Sequence, residues 1–148
     1  MMLVSLIICW LLVFVSSIIL RIHGRVKTFI ICTLSALWGF IVILLTFITP
    51  PGGGSNVNLS LLDVSNKADM IDAFLNSMMF FPCGMLMSMV NVKISSAIII
   101  GALLSLLIEV MQYVLNIGRT SDLNDIIFNT LGSAIGFWFC KKIKAIYI

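Results

Sequence analysis

GALLSLLIEVMQYVLNIGRTSDLNDIIFNTLGSAIG, running from Gly101 to Gly136, decides how this chain is read, because its apolar first half carries an acid, Glu109, well inside the run. A charge near the middle of a membrane helix costs about 2.5–3.5 kcal/mol on insertion scales, so Glu109 needs a partner or a purpose. On a helix, Gly101, Ser105, Glu109, Gln112 and Asn116 follow one another at spacings of four, four, three and four, which confines them to one narrow stripe. Asp122, Asp125, Asn129, Gly132 and Gly136 form a second stripe of the same kind. The stripes are expected to face each other across an antiparallel hairpin closed by NIGRTSDLN. With Leu115 level with Asp125, the rise of about 1.5 Å per residue places Gln112 opposite Asn129, Glu109 opposite Gly132 and Ser105 opposite Gly136. Small residues then allow close approach, and polar ones hydrogen-bond across the gap.

The rest of the chain agrees with a membrane setting. Its 148 residues are 61% hydrophobic and only 10% charged, far from the balance of a soluble domain. The fold class is therefore all-α, a polytopic integral membrane protein forming one bundle over residues 1–148, with helices at about 2–20, 28–48, 73–91, 94–115 and 123–140. The first of these has neither a basic leader nor a small-residue cleavage site, and so reads as a helix and not as a removable signal peptide. Pro50, Pro51 and Gly52 to Gly54 break the chain after the second helix, and the stretch 49–72 is the longest polar segment. Pro82 and Gly84 predict a kink and a freed carbonyl in the third. The methionines from Met78 to Met89 read as adaptable lining.

Charge gives the orientation. Arg21, Arg25, Lys27, Lys93, Lys141, Lys142 and Lys144 fall on one side of the alternating spans, and only Lys67 and Arg119 on the other. The positive-inside rule then puts the N-terminus outside and the C-terminus in the cytoplasm. Asn76, Glu109, Gln112, Arg119, Asp122, Asp125 and Asn129 all come to the outer end, where a site would face the cell surface. The net charge of +3 is dispersed among short loops, which excludes nucleic acid as a partner.

Several chemistries are unavailable there. The single histidine, His23, belongs to the opposite, basic loop, so neither a serine–histidine triad nor a His-rich zinc site can form at the outer face. Cys9, Cys32, Cys83 and Cys140 lie in apolar runs without metal or redox spacing; no disulfide is expected. No cofactor is called for, and a metal, if one binds, would be a hard divalent cation on the oxygens of Glu109, Asp122 and Asp125. Two assignments are open for Arg119: its planar fork can neutralise Glu109 or Asp122, or it can take a carboxylate or phosphate from a ligand. Ser121 or Asp122 can cap the last helix.

The pattern N-x-x-x-F-x-P-x-G at Asn76 to Gly84, E-x-x-Q at Glu109 and Gln112, and R-x-x-D-x-x-D-x-x-x-N-x-x-G from Arg119 to Gly132 resembles the VanZ-like family over about the second half of the chain. The N-L-I-P-F-like stretch often found ahead of the third helix stands here as NLSLLD from Asn58. The resemblance implies a multi-pass protein of the bacterial cell membrane, associated with resistance to glycopeptide antibiotics, teicoplanin above all, and supplies no reaction. Its implied partners are membrane lipids and a lipid-linked cell-wall precursor or lipoglycopeptide. A homo-oligomer is compatible with five short helices. Three roles follow for the cluster: a binding site for a polar or anionic head group, an intramembrane enzyme with Glu109 as acid or base and Asp122 and Asp125 as further catalytic candidates, or a polar seam that only fixes the hairpin.

Overall fold

A computed structural model describes residues 24–48, 57–115 and 120–147. Four helices make up nearly all of it: α1 (Gly24–Ile43), continued by a π-helical turn (Leu44–Ile48), α2 (Lys67–Met89), α3 (Ile94–Val114) and α4 (Leu123–Tyr147). Two two-residue strands, β1 (Val57–Asn58) and β2 (Ser121–Asp122), pair in parallel, with Val57 opposite Ser121 and Asn58 opposite Asp122.

Among the described residues three segments, Gly24–Phe47, Lys67–Met89 and Ile94–Val114, are long and apolar enough to cross a membrane. The expected helix 2–20 lies outside the described residues. Helix α4 includes the whole of the expected 123–140, but Asn124, Asp125, Asn129, Lys141 and Lys142 dilute its apolar surface. Such dilution is tolerable because α4 packs along α2 and against α3, which hides Asn129, Ser133, Phe137 and Cys140.

Two boundaries differ from expectation. Helix α2 starts at Lys67, six residues before the anticipated residue 73, because Asn66 caps it: its side chain accepts the Ala68 N–H at 3.0 Å and donates to Asp69 at 2.8 Å. Just ahead, Ser65 donates its hydroxyl and N–H to Asp63, holding that exposed carboxyl below its ordinary range. Helix α1 likewise begins four residues before residue 28, so part of the expected basic loop is helical.

Helix α2 runs unbroken through Pro82. Proline lacks the N–H that would bond one turn back to Met78, and the adjacent Met79 carbonyl accepts the Trp38 indole N–H at 2.8 Å. Met85 and Met89 are fully packed against Leu34, Leu86 and Cys140, whereas Met78 faces outward, so the expected methionine lining is divided between core and surface. At this basic end Lys144 donates to the Ser88 carbonyl (3.0 Å) and to Asn91 Oδ1 (2.6 Å), satisfying the end of α2.

The closest helix contact is between α2 and α4. A Cβ on Gly132 would lie 2.1 Å from the Ser77 carbonyl oxygen, and one on Gly84 1.8 Å from that of Ser133. The glycine seam therefore meets α2, and not α3 as the sequence suggested. What α4 gives to α3 is polar: Ser105 receives the Asn129 amide at 2.8 Å, and Ser133 Oγ donates to the Ala97 carbonyl at 3.1 Å.

Candidate functional site at the loop end of the bundle

The buried positions of α3 are Ala97, Gly101, Ser105, Glu109 and Gln112, so its small and polar stripe faces inward while Leu103, Leu106, Leu107 and Val110 face out. That inversion of the soluble pattern is what a hydrocarbon solvent favours, since each buried polar atom must find its partner within the protein.

Glu109, 5% exposed, sits beside the start of α4. Its Oε2 accepts the Asp122 N–H at 3.0 Å, and its backbone carbonyl accepts the Ser121 hydroxyl at 3.0 Å. Asp122 is the cap of α4, as the sequence allowed: its Oδ1 accepts the Asn124 N–H at 2.8 Å. Its other oxygen, Oδ2, accepts the Asn58 amide at 2.9 Å. Asn124 completes the lacing by donating to the Ser60 carbonyl (2.8 Å) and accepting the Leu62 N–H (3.0 Å). The loop 57–62 is thereby sewn to the first turn of α4.

One turn deeper, Asp125 accepts the Asn76 amide at 2.5 Å, which ties α4 to α2. Ser105 receives the Asn129 amide and donates to the Asp125 carbonyl at 3.4 Å. Asn129 is 1% exposed, and its Oδ1 has no hydrogen-bond partner among the described residues. Gln112 reaches the other way and donates to the Thr46 carbonyl at 3.1 Å, within the π-helical turn that ends α1. A π turn widens the helix and is often found beside functional sites.

Six of the seven residues singled out in the sequence thus come to one end of the bundle; Arg119 lies outside the described residues. Their register is not the expected one. Ser105 meets Asn129 where Gly136 was anticipated, a difference of 136 − 129 = 7 residues, or roughly 10 Å along the helix. Asp122, docked on Glu109, starts α4 beside the body of α3 and not level with its end. Asn58 and Asn124 escaped the sequence reading. The only hint was the position of Asn58 at the head of NLSLLD, where the resemblance expects a structured stretch.

Among the described residues no group of three or more His, Cys, Asp or Glu side chains is arranged to hold a metal ion. Asp122 directs both oxygens to N–H donors, and Asp125 turns toward Asn76. Beside Glu109 and Asp122, however, lies a groove of about 320 Å³, walled by Leu106, Val110 and Tyr113 of α3, Leu123 and Ile126 of α4, and Val57 and Leu59 of the loop. Glu109, Ser121 and Asp122 border it, but the surface it presents is almost wholly apolar.

The family model described as VanZ/LLP1 matches residues 1–145, so the chain belongs to the VanZ/LLP1 family, as the motifs around Asn76, Glu109 and Arg119 suggested. No curated protein and no solved structure shows significant similarity to it.

Proposed function

We propose that this member of the VanZ/LLP1 family is a bacterial cell-membrane protein that contributes to glycopeptide resistance, teicoplanin above all, by binding a polar head group at the outer face of the bilayer. The head group belongs to a lipid-linked envelope precursor or to the lipidated antibiotic. The observation that carries this reading is Glu109, a carboxylate 5% exposed that borders a groove on the flank of a membrane helix. An acid in that position is costly unless it serves an interaction. Five spans with the N-terminus outside are part of this reading, and the positive-inside rule applied to Lys27, Lys93, Lys141, Lys142 and Lys144 supports that orientation. In this reading Arg119 takes the anionic part of the head group, Glu109 and Gln112 fix Arg119 or accept hydrogen bonds, and Asp122, Asp125 and Asn129 shape the rim.

A second reading, a small intramembrane enzyme with Glu109 as acid or base, draws on the burial of that same carboxylate beside Asp122. One experiment separates the two. Glu109→Gln, Arg119→Gln and Asp125→Asn are expressed in a susceptible bacterium, with teicoplanin susceptibility and membrane abundance both measured. Purified protein is then incubated with a lipid-linked wall precursor. Lost resistance at normal abundance without turnover supports binding; turnover abolished by Glu109→Gln supports the enzyme; unchanged resistance in all three variants defeats both.

A further inference from the structure

Charge divides this bundle by its ends. All six acids of the chain, Asp63, Asp69, Asp72, Glu109, Asp122 and Asp125, belong to the end that carries the loop, where α2 and α4 begin and α3 finishes. The opposite end is formed by the start of α1, the turn between α2 and α3 and the last turns of α4. It holds Arg25, Lys27, Lys93, Lys141, Lys142 and Lys144 without a single Asp or Glu side chain. Along α4, Asp125 and Lys144 stand 144 − 125 = 19 residues apart, or roughly 28 Å at the helical rise, which is close to the thickness of a bilayer's hydrocarbon core.

Within the basic end, two cations from different helices converge. Leu34 of α1 and Cys140 of α4 share one core cluster, against which Ile30, Ile31 and Ile143 pack, so the first turn of α1 comes beside the last turns of α4. Lys27, partly exposed, is close enough for its charge to act on Lys144. Lys144 is fixed in place by its bonds to Ser88 and Asn91, which use two of the three donors of an ammonium. Partial burial, and to a smaller extent the charge of Lys27, lower the pKa of that ammonium. The pair calls for a counter-charge, and every carboxylate side chain of the protein is at the far end.

The surroundings favour an anion carried by a lipid. Beside these cations the outward-facing side chains are Val26 and Phe29 on α1 and Trp138, Phe139 and Ile146 on α4, all exposed. Lys142 lies over the Trp138 ring, 5.6 Å from its centre, and an exposed indole paired with an ammonium suits the boundary between head groups and acyl chains. A soluble anion would satisfy the lysines and leave these apolar side chains in water, whereas a phospholipid serves both. A phosphodiester with no amine of its own, as in phosphatidylglycerol, supplies the negative charge that this end lacks.

We infer that the end of the bundle opposite Glu109 binds an anionic phospholipid, with its phosphate held between Lys27 of α1 and Lys144 of α4. This site is separate from the polar cluster at the loop end and does not depend on what that cluster does.

The test is native mass spectrometry of the full chain, released from detergent after titration with phosphatidylglycerol or with phosphatidylcholine of the same acyl composition. Retention of phosphatidylglycerol is expected to exceed that of phosphatidylcholine several-fold. Lys27→Gln should erase most of that preference and Lys27→Arg should keep it, with melting temperatures near wild type in both. Lys142→Gln removes the same charge from the same end but away from the Lys27–Lys144 pair, and should leave most of the preference in place. Equal retention of the two lipids, or a preference that Lys27→Gln leaves intact, overturns the inference. So does an equal fall in Lys27→Gln and Lys142→Gln, which would show only diffuse attraction to the charge of this end. Glycerol phosphate as a soluble competitor identifies the source of the phosphate: it should displace phosphatidylglycerol only in large excess, and displacement at equal concentration would assign the pair to a soluble phosphate ester and overturn the lipid site.

Discussion

Glu109 accepts the backbone N–H of Asp122 at 3.0 Å, so one buried carboxylate on α3 holds the first turn of α4 in place. Asp122 in turn caps that helix and receives the loop through Asn58. Support and candidate site therefore share atoms, and substitutions can be chosen to separate the two.

Glu109→Gln keeps an acceptor for the Asp122 N–H and removes the charge. Membrane abundance and detergent melting temperature should stay close to wild type while teicoplanin resistance falls. Glu109→Ala leaves a donor unpaired inside the bundle, at a cost of about 1–3 kcal/mol, and should lower both abundance and melting temperature. Equal melting of the two variants would show that the bond contributes nothing to the fold.

Gly132→Ala places a methyl group 2.1 Å from the Ser77 carbonyl oxygen, a backbone atom that cannot rotate away. The α2–α4 pair must separate, with an expected loss of about 1–3 kcal/mol or more. Gly39 meets nothing within 4 Å, and Gly39→Ala should be neutral or stabilising by up to roughly 1 kcal/mol. Thermal melts of the two purified variants against wild type test the pair.

Asn124→Ala removes the amide that joins the Ser60 carbonyl, the Leu62 N–H and Asp122, whereas Asn58→Ala removes the link to Asp122 and the bonds from Ser60. Both should free the loop. Amide hydrogen exchange over 57–62 is expected to accelerate in each, with α2 unchanged, and resistance should fall with the loss of order at Asp122. A loop that exchanges at the wild-type rate in both variants would contradict this lacing.

Ser105→Ala strips Asn129 of its amide acceptor while Asn129 Oδ1 is already unpartnered, so two polar atoms stay buried without bonds. The expected cost is about 1–3 kcal/mol. Adding Asn129→Leu removes both atoms, and the double variant should melt nearer to wild type than Ser105→Ala alone. A double variant that is simply the sum of two losses would show the pair to be uncoupled.

Much of this was written in residue spacing. A carboxylate within an apolar run, small and polar residues repeating every three or four positions, and lysines on alternate connections are local properties, and they led to apolar helices, an inward-facing stripe on α3 and a polar cluster at one end. Periodicity determines which face of a helix turns inward; it says nothing about how far one helix slides along another or which neighbour it meets. Those came from tertiary structure. Asp122 docking on Glu109 drew α4 down beside α3 and set Ser105 against Asn129, and backbone-to-backbone approach gave Gly132 and Gly136 to α2. Asn58 joined the cluster from 64 residues away, a distance over which no repeat can carry information, because only the folded bundle brings the two ends of that bond together.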